Sequence, residues 1–290
     1  MSRSHSGISY TLYAIVASVL LASIKLTFGI LGSSSALISD GVNSLSDIVG
    51  YSVVAVSLLI SGKKADRVHQ YGHEKIESVV SLLFSLVIIF TGAAIGYSGI
   101  LLVMSSDPVP VPTALALWAA VVSLGAKLFL ALWTGKGYRN TRSSALKALY
   151  TDHLSDAVAT GGALLGVLGA QLGFPVSDPL ASILIALFVI YSGSKVLRSS
   201  FHVLMDASAD MQTVQRIRAL VTENKEVLRI DLLKTRTVGS GYYVDIEICL
   251  DQDLSLQKAH EIAEDVHDRI EEGLPSVRHV MVHTNPSKRE

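Results

Sequence analysis

From Ser78 to Ser106 the chain runs without one charged residue, and from Ile48 to Gly62 it does so again. Both runs belong to apolar stretches long enough to cross a bilayer as helices, which takes roughly 20 residues. With 50% hydrophobic residues and a mean hydropathy of +0.46, the chain is too apolar for an ordinary soluble domain. The blocks predict six spans, at residues 9–31, 37–60, 77–104, 113–135, 146–171 and 178–197. The first is too long for the apolar core of a cleavable signal peptide, and no small-residue cleavage site after it opens onto a soluble mature domain.

Lysine and arginine set the expected orientation. Lys63, Lys64, Arg67 and Lys75 lie between spans two and three, and Lys136, Arg139, Arg142 and Lys147 cluster around the junction of spans four and five. The other three connections, at 31–36, 105–112 and 171–178, carry none. The basic loops are therefore expected in the cytoplasm, with both termini beside them. The single cysteine, Cys249, excludes an intrachain disulfide and is compatible with a reducing compartment.

Beyond Arg198 the composition becomes that of a soluble domain, with 15 Asp/Glu against 11 Lys/Arg from Asp210 onward. Met211–Val221 has helical periodicity, while Val227–Thr237 and Tyr242–Leu250 alternate as strands around a Gly239-Ser240-Gly241 turn signal. Leu254–Glu272 is predicted helical, and Val277–His283 is a last strand closed by Pro286. The order α-β-β-α-β predicts a small α+β sheet with its helices on one face. About 80 residues make a marginal core, which dimerisation would support.

Inside the apolar stretches stand two polar pairs, Asn43 with Asp47 and Asp152 with Asp156. A spacing of four puts each pair on one helix face. A carboxylate at membrane depth is costly unless it faces a bundle interior or an aqueous path, so two pairs mark an ion route. Together they offer four oxygen donors for one divalent cation, a set that suits hard ions such as Mn(II) and Mg(II). His153, three residues before Asp156, is an alternative ligand to Asp152. The plainer readings are a helix-terminal carboxylate, a proton carrier, or an amide that only bonds across helices. Asp40 is expected to cap its helix or face the outer vestibule. Lys25 and Lys127 are expected to snorkel to an interface, and Trp118 and Trp133 to sit in the aromatic belts.

A second constellation is Asp66, His69 and His73, whose spacings of three and four let them converge on one metal from a short turn. Glu74, Lys75 and Glu77 follow, as a solvated helix start or an ion-pair cluster. In the tail, Asp245 and Glu247 share one strand face and His283 lies on another strand of the same sheet, among the further histidines His260, His267 and His279. A carboxylate–imidazole site and a merely solvated acidic surface are both open there.

These residues together resemble the cation diffusion facilitator family of divalent metal exporters. The resemblance rests on Ser39–Asp47 in span two, His69–Glu77 entering span three and Asp152–Asp156 in span five, and it runs nearly end to end. It implies a membrane α-helical bundle of six transmembrane helices (residues 1–205) with a cytoplasmic α+β ferredoxin-like C-terminal domain (206–290) that senses metal and dimerises. It implies proton-coupled efflux across the inner (plasma) membrane by a homodimer, with no enzymatic activity, no nucleic-acid partner and no cofactor beyond the metal. Asn43, Asp47, Asp152 and Asp156 become the transport site, and Asp66, His69 and His73 the loop site. His260 and His283 fall on tail ligand positions. Asp231 and Glu247 hold acids where zinc members often carry histidine, and Asn285 stands where an acid is often found. Lys75 and Asp206 resemble a charged hinge. Zinc members typically pair histidine with aspartate in span five, whereas Asp152 takes that histidine's place here, which resembles the manganese-type members. Zn(II) and Fe(II) remain alternatives. Rival classes are a membrane metalloenzyme built on His69 and His73, which lacks a general base, and a passive cation channel.

Overall fold

The computed structural model describes residues 2–60, 66–73, 75–141, 144–238 and 241–287, with side chains for 16–48, 66–73, 75–139, 150–238 and 241–287. Lys63, Lys64, Glu74, Arg142, the Lys147 side chain and the Gly239-Ser240 part of the turn signal lie outside them. Six long helices come first: α1 (Ser2–Leu31), α2 (Ser35–Ile60), α3 (Lys75–Met104), α4 (Ala114–Thr141), α5 (Ser144–Gln171) and α6 (Ser177–Leu204). Then follow α7 (Met211–Thr222), β1 (Arg229–Val238), β2 (Gly241–Leu250), α8 (Leu256–Gly273) and β3 (Val277–Pro286). The chain forms two compact units, residues 1–56 with 81–197 and residues 57–80 with 198–290.

Each predicted span falls within one of the six helices, except that the fourth begins one residue ahead of α4, at Thr113. Among the described residues, α3, α6 and the Ala114–Arg139 part of α4 are long and apolar enough to cross a membrane, and Val16–Leu31 of α1 is a shorter apolar segment. The polar pairs sit on α2 and α5. In the first unit the helices meet through small side chains: Ala116, Ala119 and Ala120 of α4 pack with Leu37 and Val167, and Ala36 and Ala163 pack with Ile185 and Val189. Lipid supplies no hydrophobic drive between helices, so close backbone approach has to provide the attraction. At Gly166 a Cβ would stand 2.5 Å from the Ala181 methyl, so only glycine lets α5 come this near α6.

The start of α2 is capped from another helix. Asp178, on the first turn of α6, accepts from the Ser34 hydroxyl at 2.6 Å and from the backbone N–H of Ser35 at 2.6 Å and Ala36 at 3.3 Å. It is 2% exposed, so the orphan donors of a helix start are met where water cannot reach. The Ser39 and Ser182 hydroxyls, 2.7 Å apart, add a second tie between α2 and α6.

In the second unit β1 and β2 are antiparallel and β2 and β3 parallel, in sheet order β1-β2-β3. Val244, Ile246, Ile248 and Leu250 alternate onto one face of β2 and pack against Ile217 and Val221 of α7 and Ile262, Val266 and Ile270 of α8. Both helices thus cover one face, as the element order predicts. Asp210 and Ser255 cap α7 and α8 through the backbone N–H of Thr213 and Lys258. Strand β3 runs on to Pro286 rather than stopping before it; as the last residue of an edge strand, Pro286 interrupts no ladder.

Candidate metal centre

Helix α2 places Asn43 and Asp47 on one face, and α5 does the same for Asp152 and Asp156. The two faces meet. One carboxylate oxygen each from Asp47, Asp152 and Asp156 lies within 4.8 Å of the others, and the Asn43 amide donates to Asp156 Oδ1 at 3.2 Å. Asp47 is the thirteenth residue of a 26-residue helix and Asp156 the thirteenth of a 28-residue helix. At 1.5 Å per residue that is about 18 Å from either helix start. Asn43 is 4% and Asp156 3% exposed. Four oxygen-bearing side chains therefore converge at the middle of the bundle.

Two lysines were expected to snorkel, and neither does. Lys127 is the fourteenth of the 28 residues of α4, too far from either end for its side chain to reach an interface, and it is fully buried. Its ammonium bonds Asp156 Oδ2 and lies 3.5 Å from Asp47 Oδ2. Lys25 of α1 is also fully buried; it pairs with Asp40 Oδ2 at 2.8 Å and donates to the hydroxyls of Ser44 at 3.0 Å and Thr160 at 2.9 Å. Asp40 is accordingly neither a cap nor a vestibule residue, but the counter-ion of Lys25. A mid-span lysine in a chain with mid-span carboxylates was the available signal, since a desolvated charge has to be paired.

His153 is fully buried. Neither ring nitrogen hydrogen-bonds among the described residues, and it stands outside the convergent carboxylate trio.

The loop set also comes together. Asp66 Oδ1 accepts from the backbone N–H of Val68 at 2.8 Å and of His69 at 2.6 Å, closing a tight turn. His69 Nδ1 and His73 Nε2 each lie 3.4 Å from an Asp66 oxygen, with the imidazole centroids 4.4 Å apart. The His69 N–H, ahead of the Val68 N–H and the imidazoles, holds the Asp66 carboxyl below the usual carboxylate range. In the same unit, Arg236 of β1 lies over Tyr71 of the loop at 5.5 Å and over Tyr243 of β2 at 5.3 Å. Lys75 Nζ pairs with Asp206 Oδ1 at 2.8 Å.

The tail residues behave differently. Asn285 donates one hydrogen bond each to Asp231 Oδ2 and Glu247 Oε2, both at 3.1 Å, and His283 is the register partner of Glu247. The Arg229 guanidinium beside Asp231 holds that carboxyl low. His260 is 71% exposed, with Glu264 at 3.9 Å as its neighbour. Among the described residues only the membrane trio and the loop trio converge as potential metal ligands; Asp231, Glu247, His260 and His283 do not gather around one point.

A membrane bundle with convergent mid-span carboxylates, followed by a small α+β domain, defines a cation-handling membrane protein. Residues 11–205 match the cation efflux transmembrane domain, and residues 209–287 match the cytoplasmic domain of cation efflux proteins. The chain belongs to the cation efflux, or cation diffusion facilitator, family, and is a metal efflux transporter rather than an enzyme. It is 30% identical over 282 residues to the manganese efflux system protein MneP of Bacillus subtilis (strain 168), covering 95% of this chain and 94% of that one. To MneS of the same organism it is 29% identical over 266 residues, 92% and 91% of the two chains. To the magnetosome protein MamB of Magnetospirillum gryphiswaldense it is 27% identical over 275 residues, 95% and 92%. A solved MamM C-terminal domain aligns with 27% of this chain and 95% of its own, at 22% identity and a TM-score of 0.26.

Proposed function

We propose that this transporter exports Mn(II) from the cytoplasm in exchange for protons, as a homodimer in the plasma membrane with both termini cytoplasmic. The membrane domain, residues 1–205, carries the transport site, and residues 206–290 form a metal-sensing dimerisation domain. The observation that carries this reading is the meeting of Asn43 and Asp47 of α2 with Asp152 and Asp156 of α5, away from the ends of both helices. Oxygen donors without an imidazole among them favour Mn(II) over Zn(II), and two relatives named as manganese efflux proteins support the same choice. The basic loops support the orientation.

Ionised carboxylates load the metal on the cytoplasmic side. The bundle then opens outward, and protonation of Asp47, Asp152 or Asp156 weakens the metal's hold, because ligation and protonation compete for the same oxygens. Metal bound to the tail would stabilise the dimer by mass action. The loop trio braces its own turn and holds a separate ion.

Metal-competition uptake into sealed vesicles containing a pH indicator tests all of this. Mn(II) uptake should shift the internal pH in step with metal, and Zn(II) should compete weakly. Conductance without proton movement would replace the exchanger with a channel. Zn(II) outcompeting Mn(II) would overturn the metal assignment and return His153 to the site.

A further inference from the structure

The transport site already contains a cation. Lys127 reaches from the middle of α4 to bond Asp156 Oδ2 and to stand 3.5 Å from Asp47 Oδ2, so its ammonium engages two of the carboxylates that a metal would take. The other buried lysine makes an instructive contrast. Lys25 is held by Asp40 and by two hydroxyls that belong to no metal set, the arrangement of a permanent brace. The partners of Lys127 are the transport ligands themselves.

We infer that Lys127 is a tethered counter-ion of the transport site, occupying the cation position in the empty carrier and giving up its carboxylates when metal loads. Three carboxylates crowded into a water-poor bundle repel one another, and an ammonium among them relieves that repulsion. A divalent ion must then displace a single resident charge rather than enter vacant anionic space. Displacement weakens loading, and the returning ammonium helps to expel the metal after the carrier opens outward. Lys127 is a positioning residue in this account and sets affinity against turnover. The inference rests on Asp47, Asp152 and Asp156 being the transport ligands.

The test is the concentration dependence of initial Mn(II) uptake by the full-length protein in sealed vesicles, read as separate KM and kcat. Lys127→Met removes the competitor; Lys127→Gln also removes the charge but keeps a donor for Asp156, which protects the fold. Both should lower KM by at least about tenfold, since a unit charge within about 4 Å is removed from the site, and both should lower kcat because release loses its driver. Lys127→Arg keeps the charge and should hold KM at or above the wild-type value. An unchanged or raised KM in the neutral variants, or a lowered KM in Lys127→Arg, would overturn the inference and leave Lys127 a structural tie. Asp156→Ala is run alongside. If it transports normally, the transport-site reading itself fails; if it is inactive while the Lys127 variants keep wild-type KM, only the counter-ion role fails.

Discussion

The membrane unit and the tail carry nearly the same kinds of polar side chain, yet among the described residues only the first brings three carboxylates together. In the bundle a carboxylate has no water, so it must find a cation, an amide or another helix's polar face. Asp47, Asp152 and Asp156 meet each other, Asn43 and Lys127, and Asp40 meets Lys25. In the tail, water satisfies a carboxylate at no cost. Glu247 and Asp231 settle for the Asn285 amide, and His260 stays in solvent. Desolvation therefore acts as a filter that draws polar residues together in one region and leaves them at the surface in the other.

That contrast breaks most visibly if the buried carboxylates are dispensable. Asp47→Ala and Asp156→Ala should each abolish Mn(II) flux while the protein still elutes as a folded dimer. Robust proton-coupled flux in either would end the four-ligand account. A smaller effect is expected from Asp152→His, which puts a softer donor in the site and should move uptake from Mn(II) toward Zn(II). An unchanged Mn(II) to Zn(II) uptake ratio would mean another group already selects the metal.

The exposed loop should sit between the two extremes. His69→Ala combined with His73→Ala should reduce the number of ions bound in a calorimetric titration and leave flux running. Complete loss of flux with unchanged stoichiometry would put the loop on the permeation path. Smaller still is the stability effect of Asp178→Ala, which strips the cap from α2 and leaves buried donors unpaired, at about 2 kcal/mol; thermal unfolding of the full-length protein measures it. In the tail, the Thr213 hydroxyl and N–H hold the Asp210 carboxyl below the usual range. Its cap is therefore fully effective above the ordinary carboxylate range and is lost as pH falls through the lowered value. The difference in melting temperature between wild type and Asp210→Ala should shrink on acidification; a constant difference would mean the cap works without its charge.

How much of this was legible depended on whether a residue's fate was decided within its own helix. The membrane helices follow from the apolar blocks, and the α-β-β-α-β order and the faces bearing Asn43/Asp47 and Asp152/Asp156 from periodicity and spacing. So does the loop trio, whose spacing closes one turn. The roles of Lys25, Lys127 and Asp40 do not, because each depends on which helix lies opposite. Snorkelling is a sound default for a lysine near a span end, but Lys127 sits at the middle of α4, and its depth was the cue. Asp178 capping α2 from α6 was unreadable for the same reason: its donors stand more than 140 residues away in sequence.

The most direct test of the proposed oxygen-only transport site is X-ray absorption at the manganese edge, on protein carrying His69→Ala and His73→Ala so that the loop is silent. The account predicts a first shell of oxygens around Mn(II), lost when Asp156→Ala is added. Imidazole scattering that disappears with His153→Ala, or a shell that survives Asp156→Ala unchanged, would contradict it.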